Sequence, residues 1–163
     1  MGDSDRIAAL EKRLQELEDK EAIREVFNTY GFAADSGNAK AYAETFTEEG
    51  VFDMGRGEYG GRQKFHDNIA DPEGVHKRDI EGKGSLHTTG AVTIRVDGLK
   101  AWAEGPTMVW VRDGKTFRVF TAAYNHWDLE KVDGRWEVAR RVARAVGPDR
   151  AAEVWTHYRT CSS

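Results

Sequence analysis

Cysteine is almost missing from this 163-residue chain: Cys161 stands alone, so no internal disulfide can form. No run of about 18 apolar residues is present, which excludes a membrane-spanning helix, and no membrane partner is expected. The opening MGDSDRIAALEKR is polar and charged and lacks the apolar stretch of a secretory signal, so a cytoplasmic location is expected. A charge excess is missing too. Lys+Arg number 24 against 28 Asp+Glu, a net −4. Phosphate backbones therefore gain no general electrostatic hold on the chain, and nucleic acid is not an expected partner. What is present, 39% hydrophobic and 32% charged residues, has the composition of a globular domain, and the length suits one domain over 1–163.

The apolar period changes halfway along. Ile7, Leu10, Leu14 and Leu17 recur at three and four, and Ile23, Val26, Phe27 and Tyr30 carry the stripe onward, which gives a helix over 5–34. Its first half interleaves acid and base around leucines. Two heptads are too few to define a coiled coil, so contact with another copy or docking on the chain's own body is expected. Asn38 can cap a short helix through Phe46, followed by a strand at Val51–Met54 and a helix at Arg62–Ile69. Downstream, Asp97-Gly98, Asp113-Gly114 and Asp133-Gly134 are hairpin signals between runs rich in Val, Thr, Phe, Tyr and Trp. They delimit strands near 87–96, 100–112, 116–131 and 135–146, an antiparallel meander. Helices followed by such a curved antiparallel sheet make an α+β fold in which the helices must cover one sheet face. The long connection Asp71–Leu86 suits a lid or binding loop as well as a plain surface loop. The segment 147–163, with Val154, Trp155 and Tyr158, is expected to dock on the body or on a partner.

Several motifs fail on context. Gly55–Gly60 matches G-x-G-x-x-G, but that fingerprint needs a parallel βαβ unit, so the glycines here shape a turn. There is no phosphate-binding loop, zinc-helix motif or nucleophile elbow. His66, His76 and His87 lack metal-ligand spacing, so no metal is expected.

Three segments remain: TYGFAADSGNAKAYAETFTEEGVFD, SLHTTGAVTIRVDG and YNHWDLEKVDGRWEVARR. Together they resemble the SnoaL-like branch of the nuclear transport factor 2-like superfamily, over about residues 8–146. That branch includes scytalone dehydratase, bile-acid 7α-dehydratase, hexachlorocyclohexane dehydrochlorinase and polyketide cyclases. The resemblance implies a cone-shaped curved antiparallel sheet wrapped around the N-terminal helices, with a hydrophobic pocket at its open end. It also implies an aspartate at the end of the first helix paired with a histidine on a strand, by motif match Asp35 and His87. A neutral imidazole can take a proton near neutral pH, and a carboxylate on its other nitrogen fixes the tautomer. Asp35 can alternatively cap the helix break, and His87 can be an exposed strand residue. The second catalytic histidine of scytalone dehydratase has no match here.

Tyr30, near the same helix end, is the best proton donor to a leaving group. If Trp136 faces inward, period two brings Val138 and Arg140 with it, and Asn125 shares a face with Trp127. Asn125 and Arg140 are thus candidates to hold a substrate carbonyl or phenolate, and Tyr59 and Arg78 to reach the pocket mouth. His126 falls on the opposite face. The expected activity is a cofactor-independent lyase, a dehydratase or related elimination that includes C–C cleavage, on a hydrophobic hydroxylated aromatic or polycyclic molecule. An isomerase or cyclase of a polyketide- or steroid-like substrate, or a non-catalytic binding or assembly subunit, are the alternatives. Family members are commonly dimers or trimers, so a homodimer or homotrimer is expected.

Overall fold

The computed structural model describes residues 2–160, with side chains described as far as Trp155; Cys161 and the side chain of Tyr158 lie outside the described residues. Helix α1, Asp3–Ser36, is unbroken. From Asp19 onward it buries Ile23, Phe27, Ala33 and Ala34. It stops at Gly37, whose left-handed φ of 67° turns its N–H back onto the Ala33 and Ala34 carbonyls. The Asn38 side chain then accepts the Ala41 N–H at 3.1 Å and opens α2, Ala39–Ala43.

The expected helix through Phe46 ends three residues early. The Thr45 carbonyl accepts the Val138 N–H at 2.8 Å, and from Phe46 the chain is already strand β1, Phe46–Asp53. Ladder hydrogen bonds replace those a short helix would have made. The glycine-rich stretch forms the turn into β2, Glu58–Gly60, and α3 covers Arg62–Ala70. The long connection is not irregular throughout: it holds a π-helical turn at His76–Ile80 and a 3₁₀ turn at Glu81–Lys83.

The first expected strand of the meander is two strands, β3 Ser85–Thr89 and β4 Thr93–Asp97, both paired antiparallel with β5, Lys100–Asp113. Between them the Gly90 N–H donates to the Pro106 carbonyl at 2.9 Å. Strands β6, Thr116–Val132, and β7, Arg135–Ala145, follow through the expected hairpins. The sheet order is β2-β1-β7-β6-β5-β3, with β4 also on β5. All pairs are antiparallel except β1 with β7, which is parallel. The fold is α+β, a curved, unclosed sheet around α1, with Phe27, Phe46, Phe65, Trp127, Leu129 and Trp136 in the core. Phe46 and Phe65 stack at 3.8 Å.

One buried carboxylate pins α1 to the sheet. Asp19 accepts from Lys131 Nζ at 2.7 Å and from the Trp136 indole at 2.9 Å. Burial pushes its carboxyl up, but these two bonds outweigh burial and hold it below the ordinary range. Helix α4, Arg150–Thr160, docks on β6 and β7 with Val154 buried and Glu153 accepting from Arg144 at 3.2 Å. No helix among the described residues is long and apolar enough to cross a membrane.

Candidate functional site

The last turn of α1 meets strand β3 at Gly31. A Cβ on Gly31 would stand 3.2 Å from the His87 carbonyl oxygen, so glycine permits this close approach. One turn later Asp35 reaches β3 with both oxygens. Its Oδ1 lies 2.6 Å from His87 Nδ1 and accepts the Ser85 hydroxyl at 2.6 Å, while Oδ2 accepts the His87 backbone N–H at 2.8 Å. Burial raises the Asp35 carboxyl, yet the bonds from His87 and Ser85 prevail and keep it ionised below its usual range. An ionised acceptor on Nδ1 places the proton there. Nε2 is then the basic nitrogen, with no hydrogen-bond partner among the described residues. The Tyr30 ring stands edge-on to His87 at 6.1 Å. The structure therefore brings Asp35, His87 and Tyr30 together.

Beyond Tyr30 lies a group that period-two reasoning assigned one residue too early. Strands β6 and β7 slip register: Leu129 pairs with Val138, but Asp128 pairs with Arg140, which makes Ala139 an extra residue. This bulge turns Arg140 outward, where it binds Glu58 and lies 3.8 Å from Asp53, and turns Arg141 inward. Arg141 is 6% exposed. Its guanidinium donates to the Tyr30 hydroxyl at 2.8 Å, to Asn125 Oδ1 at 2.9 Å and to Thr107 Oγ1 at 3.3 Å. It also lies over the Phe52 ring at 4.4 Å. Among the described residues no carboxylate pairs with it, so a buried cation is held by neutral oxygens and aromatic faces.

Asn125 faces inward as its alternation with Trp127 implies, and is 0% exposed. Its oxygen serves Arg141 and its amide donates to Thr107 Oγ1 at 2.9 Å and the Ala123 carbonyl at 3.1 Å. It positions the guanidinium and has no donor left for a ligand. The Tyr30 oxygen accepts from both Arg141 and Tyr42, the latter at 3.2 Å, which leaves its own proton uncommitted. Tyr59 packs between Phe52 and Phe65, and burial, aided by nearby Tyr30, pushes its hydroxyl far above the ordinary phenol range. Arg78, by contrast, lies on the surface and pairs with its neighbour Asp79 at 2.6 Å. The π-helical turn points it away from the dyad and buries His76 instead.

His76 bonds the Ala34 carbonyl at 2.9 Å and its ring lies 6.1 Å from that of His87, so the 71–84 segment covers the dyad. His66 lies half-exposed on α3 beside Asp67. His126 faces away from the cavity, between Glu104 and Asp128 at 3.2 Å each. The cavity itself is narrow. Tyr30, Phe27, Phe46, Trp127, Thr107 and Arg141 enclose about 10 Å³, room for roughly one water. The expected ring-sized pocket has its aromatic lining but is closed. A wider groove of about 680 Å³ opens between Met54, Tyr59, Lys64 and Asp71, and His87 and Asp35 line neither of the two spaces.

The sequence profile of the SnoaL-like domain matches residues 15–142. No curated protein matches the chain in sequence. An NTF2-like protein with a cystatin-like fold from Novosphingobium aromaticivorans is 31% identical, with a TM-score of 0.81 over 94% of this chain and 96% of that one. A protein of unknown function from Mycobacterium tuberculosis is 20% identical, with a TM-score of 0.72 over 93% and 81%. A provisionally assigned scytalone dehydratase from Novosphingobium aromaticivorans is 19% identical, with a TM-score of 0.65 over 80% and 86%. The last two likenesses speak to the fold alone.

Proposed function

The chain belongs to the SnoaL-like family, which includes polyketide cyclases and dehydratases, and on that premise we propose that it is a cofactor-independent lyase. The observation that carries this reading is the 2.6 Å contact of His87 Nδ1 with ionised Asp35, which frees Nε2 as a base beside Tyr30 and buried Arg141. His87 Nε2 takes the proton from a carbon next to a carbonyl. The electron pair forms the carbon–carbon double bond and expels a β-hydroxyl, which leaves as water with the proton of the Tyr30 hydroxyl. Arg141, 2.8 Å from that oxygen, stabilises the phenolate, and the imidazolium returns a proton to it through water. A retro-aldol C–C cleavage would use the same base and cation. The substrate class is a hydrophobic hydroxylated carbonyl compound, and it gains access when the 71–84 segment moves off the dyad.

An isomerase or cyclase reading is favoured by the same uncommitted Tyr30 proton, since an enolate oxygen could accept it. The two differ in product mass, because only dehydration loses water. The test combines ¹⁵N NMR of the His87 ring, assigned with His87→Gln, and a screen of hydroxylated carbonyl compounds for elimination and for solvent deuterium uptake at the acidic carbon. The Nδ1–H tautomer in the wild type and its loss in Asp35→Asn, with turnover down about 10²–10⁴-fold, is the expected result. A mixed tautomer in both proteins, with no exchange on any compound, would leave a binding or assembly module.

A further inference from the structure

Helix α1 runs on for about four turns before its first buried residue, Asp19. Every residue from Gly2 to Glu18 is exposed. Along this arm Ile7, Leu10, Leu14 and Leu17 are 57%, 62%, 57% and 63% exposed. At about 3.6 residues per turn the stripe points about 140° away from the face of Ile23, Phe27 and Ala34 that packs on the sheet. A straight helix cannot fold this stripe onto its own body, which removes one of the two expectations for it.

The spacing of three, four and three is that of a and d positions: Ile7 and Leu14 at a, Leu10 and Leu17 at d. The flanking charges then sort by position. Arg6, Arg13 and Lys20 occupy g, and Glu11 and Glu18 occupy e. In a parallel pair each g residue faces the e residue five places on in the partner, so Arg6 meets Glu11 and Arg13 meets Glu18, twice over by symmetry. In an antiparallel pair g faces g and e faces e, which sets arginine against arginine and glutamate against glutamate. Ile7 at a with leucine at d favours two strands. The seam stops where Glu21 and Arg24 take the next a and d positions, the point at which the bodies begin on the outer sides of the two helices.

We infer that the N-terminal arm of α1 is a dimerisation element that pairs with the same arm of a second copy of this chain, in parallel and in register. Two heptads suffice because the arm continues a helix already nucleated in the core, so pairing does not bear the nucleation cost of an isolated peptide. An anionic membrane is a poorer occupant. Residues 3–20 carry Asp3, Asp5, Glu11, Glu16, Glu18 and Asp19 against four basic residues, whereas a helix that lies on such a surface has a basic polar face.

Sedimentation equilibrium of the full chain tests this. The wild type is expected at twice the chain mass, and Leu10→Asp with Leu14→Asp at the chain mass. Both should have the same near-ultraviolet circular dichroism, because the altered side chains are exposed in the single chain and the core is untouched, and the variant should lose only the concentration-dependent part of the melting temperature that pairing supplies. Arg6→Glu with Arg13→Glu, and separately Glu11→Lys with Glu18→Lys, are each expected to be monomeric alone and to pair when mixed. Direction is read by Leu10→Cys in a Cys161→Ser background, which cross-links to itself under mild oxidation only when the helices are parallel. A monomeric wild type, or a leucine-stripe variant that still sediments as a dimer, overturns the proposal, and a dimer that fails to cross-link at position 10 overturns the parallel arrangement.

Discussion

Arg141 brings a positive charge into the protein interior among neutral partners, and its orientation depends on three of them at once. The fork of the guanidinium reaches Asn125, Thr107 and Tyr30 together; an ammonium on a flexible stem is a single point charge and cannot. Arg141→Lys is therefore expected to fold and to lose about 10²–10³-fold in kcat, the cost of removing one preorganised donor. Asn125→Leu removes the acceptor on Arg141 Nε and leaves Thr107 short of a donor. A loss of about 1.5–3 kcal/mol in urea unfolding is expected, as for a hydrogen bond to a charged group. Unchanged kcat in Arg141→Lys would remove Arg141 from the reaction. Asp35, His87 and Tyr30 were legible because each sits in a stretch of residues that carries its own context. Arg141 was not: one extra residue at Ala139 inverts every later assignment on β7, and nothing in YNHWDLEKVDGRWEVARR announces a bulge. Arg78 was misplaced for a related reason, since a π-helical turn has no sequence pattern to set its faces.

At the level of elements, the dyad exists because α1 and β3 come within a glycine's reach. With a Cβ on Gly31 only 3.2 Å from the His87 carbonyl, a branched side chain there must push the strand off the helix. Gly31→Val is expected to cost about 1–3 kcal/mol of stability through overpacking and to cut turnover as deeply as Asp35→Asn. A variant with wild-type turnover would show that the contact between the two elements is not what sets the dyad. The hairpins of β4 to β7 could be read from three Asp-Gly pairs, because such turns are encoded locally. The division of the first strand at Gly90 and the early end of α2 could not, because both follow from partners more than ten residues away, Pro106 and Val138. The parallel pairing of β1 with β7 is likewise a tertiary outcome, as no local turn joins them.

For the molecule as a whole, two buried imidazoles on opposite sides of the sheet set the pH range of greatest stability. His76 lies on the cavity side near Ala34, Asp35, Glu81 and His87, and burial dominates there, so its folded pKa is depressed below the ordinary value. The unfolded chain then takes up this proton first, and stability falls as pH drops below about 6.5. His126 lies on the outer side between Glu104 and Asp128, with Trp102 stacked on it at 6.4 Å. Burial works against its charge, but the two carboxylates outweigh burial and raise its folded pKa. That contribution is complete below about 6.5 and is lost as pH rises through the raised value. The two effects together give a melting temperature that peaks near the ordinary imidazole range and falls on both flanks. Further into acid, Asp19 and Asp35, both depressed, lose their contributions as pH falls below about 3.9. Melting curves across this range separate the terms: His76→Gln should flatten the flank just below the peak, and His126→Gln the flank above it. If each variant keeps the wild-type slope on its own side, the groups that titrate lie elsewhere and the peak has another origin.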